Sequence, residues 1–125
     1  SGGKGRFGQI FRHVPGGNGD AGTLDLFVES SDPTLMDYGD NLCVAPNGHL
    51  IICEDRTDGK INHIRGVTPA GRIYTIARLN ADTELAGACF SPDGHILFVN
   101  AYAPGRTLAI TGPWNRFAVT PVAVG

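Results

Sequence analysis

Five oxygen-bearing side chains stand where short apolar runs begin or end. Asp40 and Asn41 precede Leu42-Cys43-Val44, Glu54 and Asp55 follow Ile51-Ile52-Cys53, and Glu84 precedes Leu85. Carboxylate and amide oxygens gathered in one place suit a hard cation such as Ca²⁺, which takes about 6–8 oxygen ligands. Cys and His are not spaced as they are around zinc. Arg65 can grip a phosphate or carboxylate through paired hydrogen bonds, although a surface ion pair is the commoner use of an arginine. The other residues have plain readings too. Asp40-Asn41 serves equally well to open a turn, because Asx side chains bond nearby backbone. Glu54-Asp55 and Glu84 serve as solvated chain ends. His49 and His95 read as exposed hairpin residues.

The elements that must position these groups follow from a phrase that recurs. It reads Ala45-Pro46-Asn47-Gly48-His49-Leu50, then Thr68-Pro69-Ala70-Gly71-Arg72-Ile73, then Ser91-Pro92-Asp93-Gly94-His95-Ile96. The prolines at 46, 69 and 92 set a period of 23 residues, and the closer match of the first and third copies sets one of 46. Asn-Gly and Asp-Gly between apolar runs supply the positive φ of a tight hairpin. Two hairpins per 46 residues make a four-stranded unit, the size of a β-propeller blade. The expected fold is therefore all-β: a fragment of a β-propeller with between two and three four-stranded antiparallel blades. Oxygens at the inner-strand ends then line the mouth of a central channel.

The chain reads as one domain over 1–125. It has a partial blade at 7–29, a blade at 40–78, a blade at 84–111 and a tail at 112–125. Phe117 to Val124 alternates like one more strand, which Pro121 confines to an edge. Little helix is expected beyond one turn around Pro33 to Met36. A closed propeller needs roughly four blades or more. The chain is thus expected to belong to something larger or to complete itself as a homo-oligomer stacking blades from several copies.

A two-residue hairpin at Asn47-Gly48 sets Val44 opposite Ile51, Cys43 opposite Ile52 and Leu42 opposite Cys53. Cys43 and Cys53 then fall on opposite faces and cannot pair. The same frame sets Asn41 opposite Glu54 and Asp40 opposite Asp55, and in the next hairpin Gly87 opposite Asn100. Cys43 and Cys89, 46 residues apart, read as small buried apolar residues. Eighteen glycines and eight prolines punctuate short strands. A net charge of −2 with no basic run excludes an electrostatic nucleic-acid footprint. No apolar run approaches the roughly 20 residues of a membrane span.

Several stretches together resemble the C-terminal part of the PhoX-type alkaline phosphatases. They are Asp40-Asn41-Leu42-Cys43-Val44, Cys53-Glu54-Asp55, Asn62 to Tyr74, Glu84-Leu85-Ala86-Gly87-Ala88-Cys89-Phe90-Ser91-Pro92-Asp93-Gly94, Leu97-Phe98-Val99-Asn100 and Ala109 to Trp114. The resemblance runs from about Phe7 to Trp114. It implies a propeller enzyme that hydrolyses phosphate esters with Ca²⁺ and Fe³⁺ in its channel. Export by the twin-arginine route to the periplasm or beyond is implied as well. Glu54 and Glu84 are implied as metal ligands, with Asp40 and Asn41 behind them; Arg65, from its own chemistry, is the expected substrate contact. The chain departs from the pattern at Arg56-Thr57-Asp58-Gly59-Lys60, where relatives carry a short Gly-containing loop. The blades that carry the iron-bound cysteine lie outside this stretch, so the fragment alone is expected to be inactive. A calcium-dependent lactonase-like propeller and a non-catalytic binding module are the alternatives.

Overall fold

A computed structural model describes residues 2–56, 58–59 and 61–116. The strand at Phe117 to Val124 expected from the sequence lies outside them. Among the described residues there are nine strands and no helix, and every pairing is antiparallel. The first sheet pairs β1 (Gln9–Val14) with β2 (Thr23–Glu29). The second runs in order through β3 (Gly39–Val44), β4 (Leu50–Glu54), β5 (His63–Val67) and β6 (Ile73–Arg78). The third holds β7 (Leu85–Phe90), β8 (Ile96–Ala101) and β9 (Arg106–Thr111). No helix among these residues is long and apolar enough to cross a membrane. Pro33 to Met36 forms only a turn, in which the amides of Leu35 and Met36 bond to the Asp32 carbonyl.

The sheets stack face to face, as successive propeller blades do. Val28 and Met36 meet Ile52 and Val67 between the first and second sheets. Ala45, Ile51, Cys53 and Ile64 meet Leu85, Leu97 and Val99 between the second and third. Each fully buried aliphatic side chain contributes about 1.5–3 kcal/mol. Alternation along a strand lets one sheet serve both neighbours: Ile52 faces back while Ile51 and Cys53 face forward. Leu24 and Val44 remain 68% and 64% exposed, so apolar surface is left over.

The first inner hairpin differs from the two-residue expectation. Val44 pairs with Leu50, Cys43 with Ile51 and Leu42 with Ile52. The loop has three residues, closed where the Ala45 amide bonds to the His49 carbonyl at 2.8 Å. Gly48, at φ 79°, supplies the left-handed residue that such a loop needs. One residue of slip exchanges the faces. Cys43 and Cys53 therefore lie on the same face and share one apolar cluster. Further up the strand Gly39, not Asn41, pairs with Glu54, and an irregularity holds Asp40 and Asn41 out of register. In the next hairpin Phe90 pairs with Leu97 and Cys89 with Phe98, as expected near the turn. A bulge at Gly87-Ala88 then sets Ala86, not Gly87, opposite Asn100. Cys89 is exposed rather than buried, since it lies on the opposite face from Phe90 and Leu97, which pack against the second sheet.

Two expected results follow. Gly48 and Gly94 both have positive φ, but a Cβ on Gly48 meets nothing, whereas one on Gly94 lands 2.7 Å from Pro46 Cγ. Gly94→Val should therefore cost more than about 1 kcal/mol, and more than Gly48→Val, in urea denaturation. Equal costs would refute the Pro46 contact. Burial pushes the Cys53 thiol up to about 11, so Cys89 should alkylate first at pH 8 and Cys53 only on unfolding.

Candidate functional site

The polar residues converge at the open ends of the two inner hairpins. In the second sheet the hairpin ends where the Asp55 amide donates to the Tyr38 carbonyl at 2.9 Å. In the third it ends where the Tyr102 amide donates to the Glu84 carbonyl at 3.1 Å. Across the gap between the sheets, the Asp55 and Glu84 carboxyl groups meet. Contact with Asp55 first, then partial burial and the charges of Asp55 and Asp40, push the Glu84 carboxyl above the usual carboxylate range. Asp55 Oδ1 is buried and has no donor from the protein. A buried carboxylate oxygen without a partner is costly unless a proton or a cation satisfies it.

Asn62 holds this meeting together. It is fully buried at the start of β5. Its amide nitrogen donates to the Arg56 and Thr83 carbonyls, both at 2.8 Å, and its oxygen takes the Arg56 amide at 2.8 Å. The residue after Asp55 is thereby tied to the residue before Glu84. Thr83 Oγ1 in turn accepts the Ala103 amide at 2.7 Å. Asn41 makes a second brace between the sheets: its oxygen takes the Gly87 amide at 2.6 Å while its nitrogen donates to Asp40 Oδ2 at 2.7 Å. Asn41 thus spends its own oxygen on the protein and orients Asp40.

Glu54 stands apart from this group. It is 1% exposed, and both oxygens are occupied. Oε1 accepts the Asp37 amide at 3.0 Å and Arg65 Nε at 2.7 Å. Oε2 accepts the His63 amide at 2.9 Å and lies 2.8 Å from His63 Nδ1. Arg65 is 3% exposed, and its Nη1 also donates to Thr75 Oγ1 at 2.5 Å. Glu54 and Arg65, expected as metal ligand and substrate contact, are thus bound to each other inside the second sheet. Beside them Arg56 pairs with Asp37 at 2.7 Å and with Asp58, and its guanidinium lies 4.6 Å from the centre of the Tyr38 ring. Asp58 first, then Asp37, hold that guanidinium in its charged form.

Of the residues singled out from sequence, Glu84 and Asp40 lie near each other at the open ends of the inner hairpins, Asn41 bonds across to the third sheet and to Asp40, and Glu54 and Arg65 are buried in the second sheet. Sequence reasoning undervalued Asp55 and missed Asn62. The signal for Asp55 was its place directly after an apolar strand. Among the described residues no three His, Cys, Asp or Glu side chains converge into a finished metal cage. Asp55 lines a cleft of about 150 Å³ and Glu84 one of about 450 Å³. The apolar groove of about 320 Å³ between the first two sheets, lined by Phe11, Phe27 and Leu42, lacks such groups.

Stacked antiparallel sheets with acids at the inner-strand ends define a β-propeller fragment. Residues 2–105 match the family described as alkaline phosphatase PhoX, and the chain belongs to that family. No curated protein and no solved structure matches the chain.

Proposed function

We propose that the chain forms part of a metal-dependent phosphatase acting on phosphate esters, with Asp55, Glu84 and Asp40 holding a hard cation. The observation that carries this reading is the buried, unpartnered Asp55 Oδ1 beside a second carboxyl group at the junction of two blades. Two acids pressed together without a donor fit Ca²⁺, which binds through carboxylate oxygens. A cation held there would polarise a phosphoryl oxygen and ease deprotonation of an oxygen nucleophile. Asn41 orients Asp40, Asn62 fixes the spacing of Asp55 and Glu84, and Glu54 anchors the strands below. In this reading Glu54 is an anchor rather than a ligand, because its oxygens already accept three N–H donors and lie against His63 Nδ1.

The chain's own residues do not fit Fe³⁺ equally well. Cys53 is a buried thiol held at about 11, the opposite of a ligating thiolate. An iron ion would need donors from further blades, and so would a complete active site. The 125-residue chain is therefore proposed to be inactive alone, and the complete enzyme to work after export to the periplasm or outside the cell. The exposed apolar residues of the sheets favour assembly with further blades, including those of other copies. The test is hydrolysis of p-nitrophenyl phosphate. The complete enzyme should require Ca²⁺, and the isolated chain should show no turnover above background. Turnover by the isolated chain would refute the division of the site. A complete enzyme that opens lactones and leaves phosphate esters intact would refute the phosphatase reading.

A further inference from the structure

The same closing hydrogen bond ends both inner hairpins, but acid and aromatic exchange places across it. In the second sheet the pair is Tyr38 and Asp55, and in the third it is Glu84 and Tyr102. The result is a run of neighbours, Tyr38–Asp55–Glu84–Tyr102, with the two acids in the middle and a tyrosine at each end. Tyr38 lines the cleft that contains Asp55, and Tyr102 lines the cleft that contains Glu84. Both rings are open to solvent, at 39% and 75% exposure.

Tyr38 is held in a costly conformation. Its φ is 55°, in the left-handed region that bulky residues avoid. Two backbone bonds keep it there: its amide to the Phe7 carbonyl at 2.8 Å and its carbonyl to the Asp55 amide. The Arg56 guanidinium, pinned by Asp37 and Asp58, stacks on the ring. Strain of this kind persists where the surroundings over-determine a residue, and such residues cluster at ligand sites. Exposed rings beside a charged centre offer flat apolar surface to whatever group the centre does not itself bind.

We propose that Tyr38 and Tyr102 are specificity-determining residues that favour phosphate esters with a flat ring in the leaving group over small alkyl esters. This rests on the phosphatase reading. The acids and their cation take the phosphoryl group, and the tyrosines take the ring.

The test is calorimetric titration of the complete enzyme, in millimolar Ca²⁺, with phenylphosphonate and methylphosphonate. Phenylphosphonate should bind about fivefold to tenfold more tightly, the worth of one or two ring contacts. Tyr102→Ala should shrink that preference without changing methylphosphonate binding, and Tyr102→Phe should restore it. Tyr102 is exposed enough that its removal leaves the fold alone. Tyr38→Asn, which suits the left-handed conformation, should shrink the preference as well. Equal binding of both phosphonates, or a preference that survives both substitutions, overturns this inference and leaves the phosphatase reading standing. Binding of neither phosphonate overturns both.

Discussion

Glu54→Gln should destabilise the chain by about 3–5 kcal/mol, the usual cost of breaking a buried ion pair from one side. That is a large share of the roughly 5–15 kcal/mol that holds a typical domain together. Glu54 and Arg65 are 1% and 3% exposed, so the loss leaves a guanidinium charge away from water. Glutamine also puts an amide NH₂ where a second acceptor oxygen is needed. At least one of the three N–H donors from Asp37, His63 and Arg65 then loses its partner. The loss reaches further than one strand, because Asp37 leads into β3, while His63 and Arg65 belong to β5. Urea denaturation should show the midpoint falling with the slope unchanged. Glu54→Leu combined with Arg65→Met should cost less than the two single changes added together, since no charge is then left alone. A cost below about 1 kcal/mol for Glu54→Gln would mean that the anchor role is wrong and that Glu54 is free for other work.

Asp55→Asn and Glu84→Gln should have the opposite effect on the cation-free chain. The Glu84 carboxyl is raised first by its contact with Asp55, so removing either acid removes a strained meeting of like groups. Thermal midpoints without added metal should stay level or rise. Calcium affinity should fall on the order of 100-fold with both substitutions, because the affinity of an oxygen site follows its ligand charge. In the complete enzyme the same pair should abolish Ca²⁺-dependent hydrolysis. Greater stability with lost function is the pattern expected of groups kept for a ligand rather than for the fold. Loss of stability in both single variants would mean that Asp55 and Glu84 are structural.

The blade architecture was legible because Pro, Gly and the apolar runs repeat at 46 residues. Gly48, Gly71 and Gly94 all have the positive φ that the turn phrases imply. Register was legible only in part. Asn47 and Asp93 take the His49 and His95 amides alike, but Ser91 Oγ also takes the Ile96 amide, a bond that Ala45 cannot make, and the second loop has four residues where the first has three. Both phrases read alike, yet one residue of loop decides which face each cysteine takes. Glu84 and Asp40 could be singled out in the sequence because acids at strand ends stand out. Asn62 was hidden, since its work is to bond two carbonyls that only the folded chain brings near. Glu54 looked like a ligand because Glu54-Asp55 is one acidic pair in sequence. Alternation along the strand sends Glu54 into the sheet and leaves Asp55 at the mouth.

The central claim is that Asp55 and Glu84 hold a hard cation at the junction of two blades, and calcium titration of the chain followed by thermal denaturation tests it most directly. A ligand that binds only the folded state raises the midpoint in proportion to the logarithm of its concentration. The account predicts that millimolar Ca²⁺ raises the midpoint of the unmodified chain and leaves that of the Asp55→Asn, Glu84→Gln double variant unmoved. A midpoint that ignores Ca²⁺, or one that rises equally in both proteins, would contradict it.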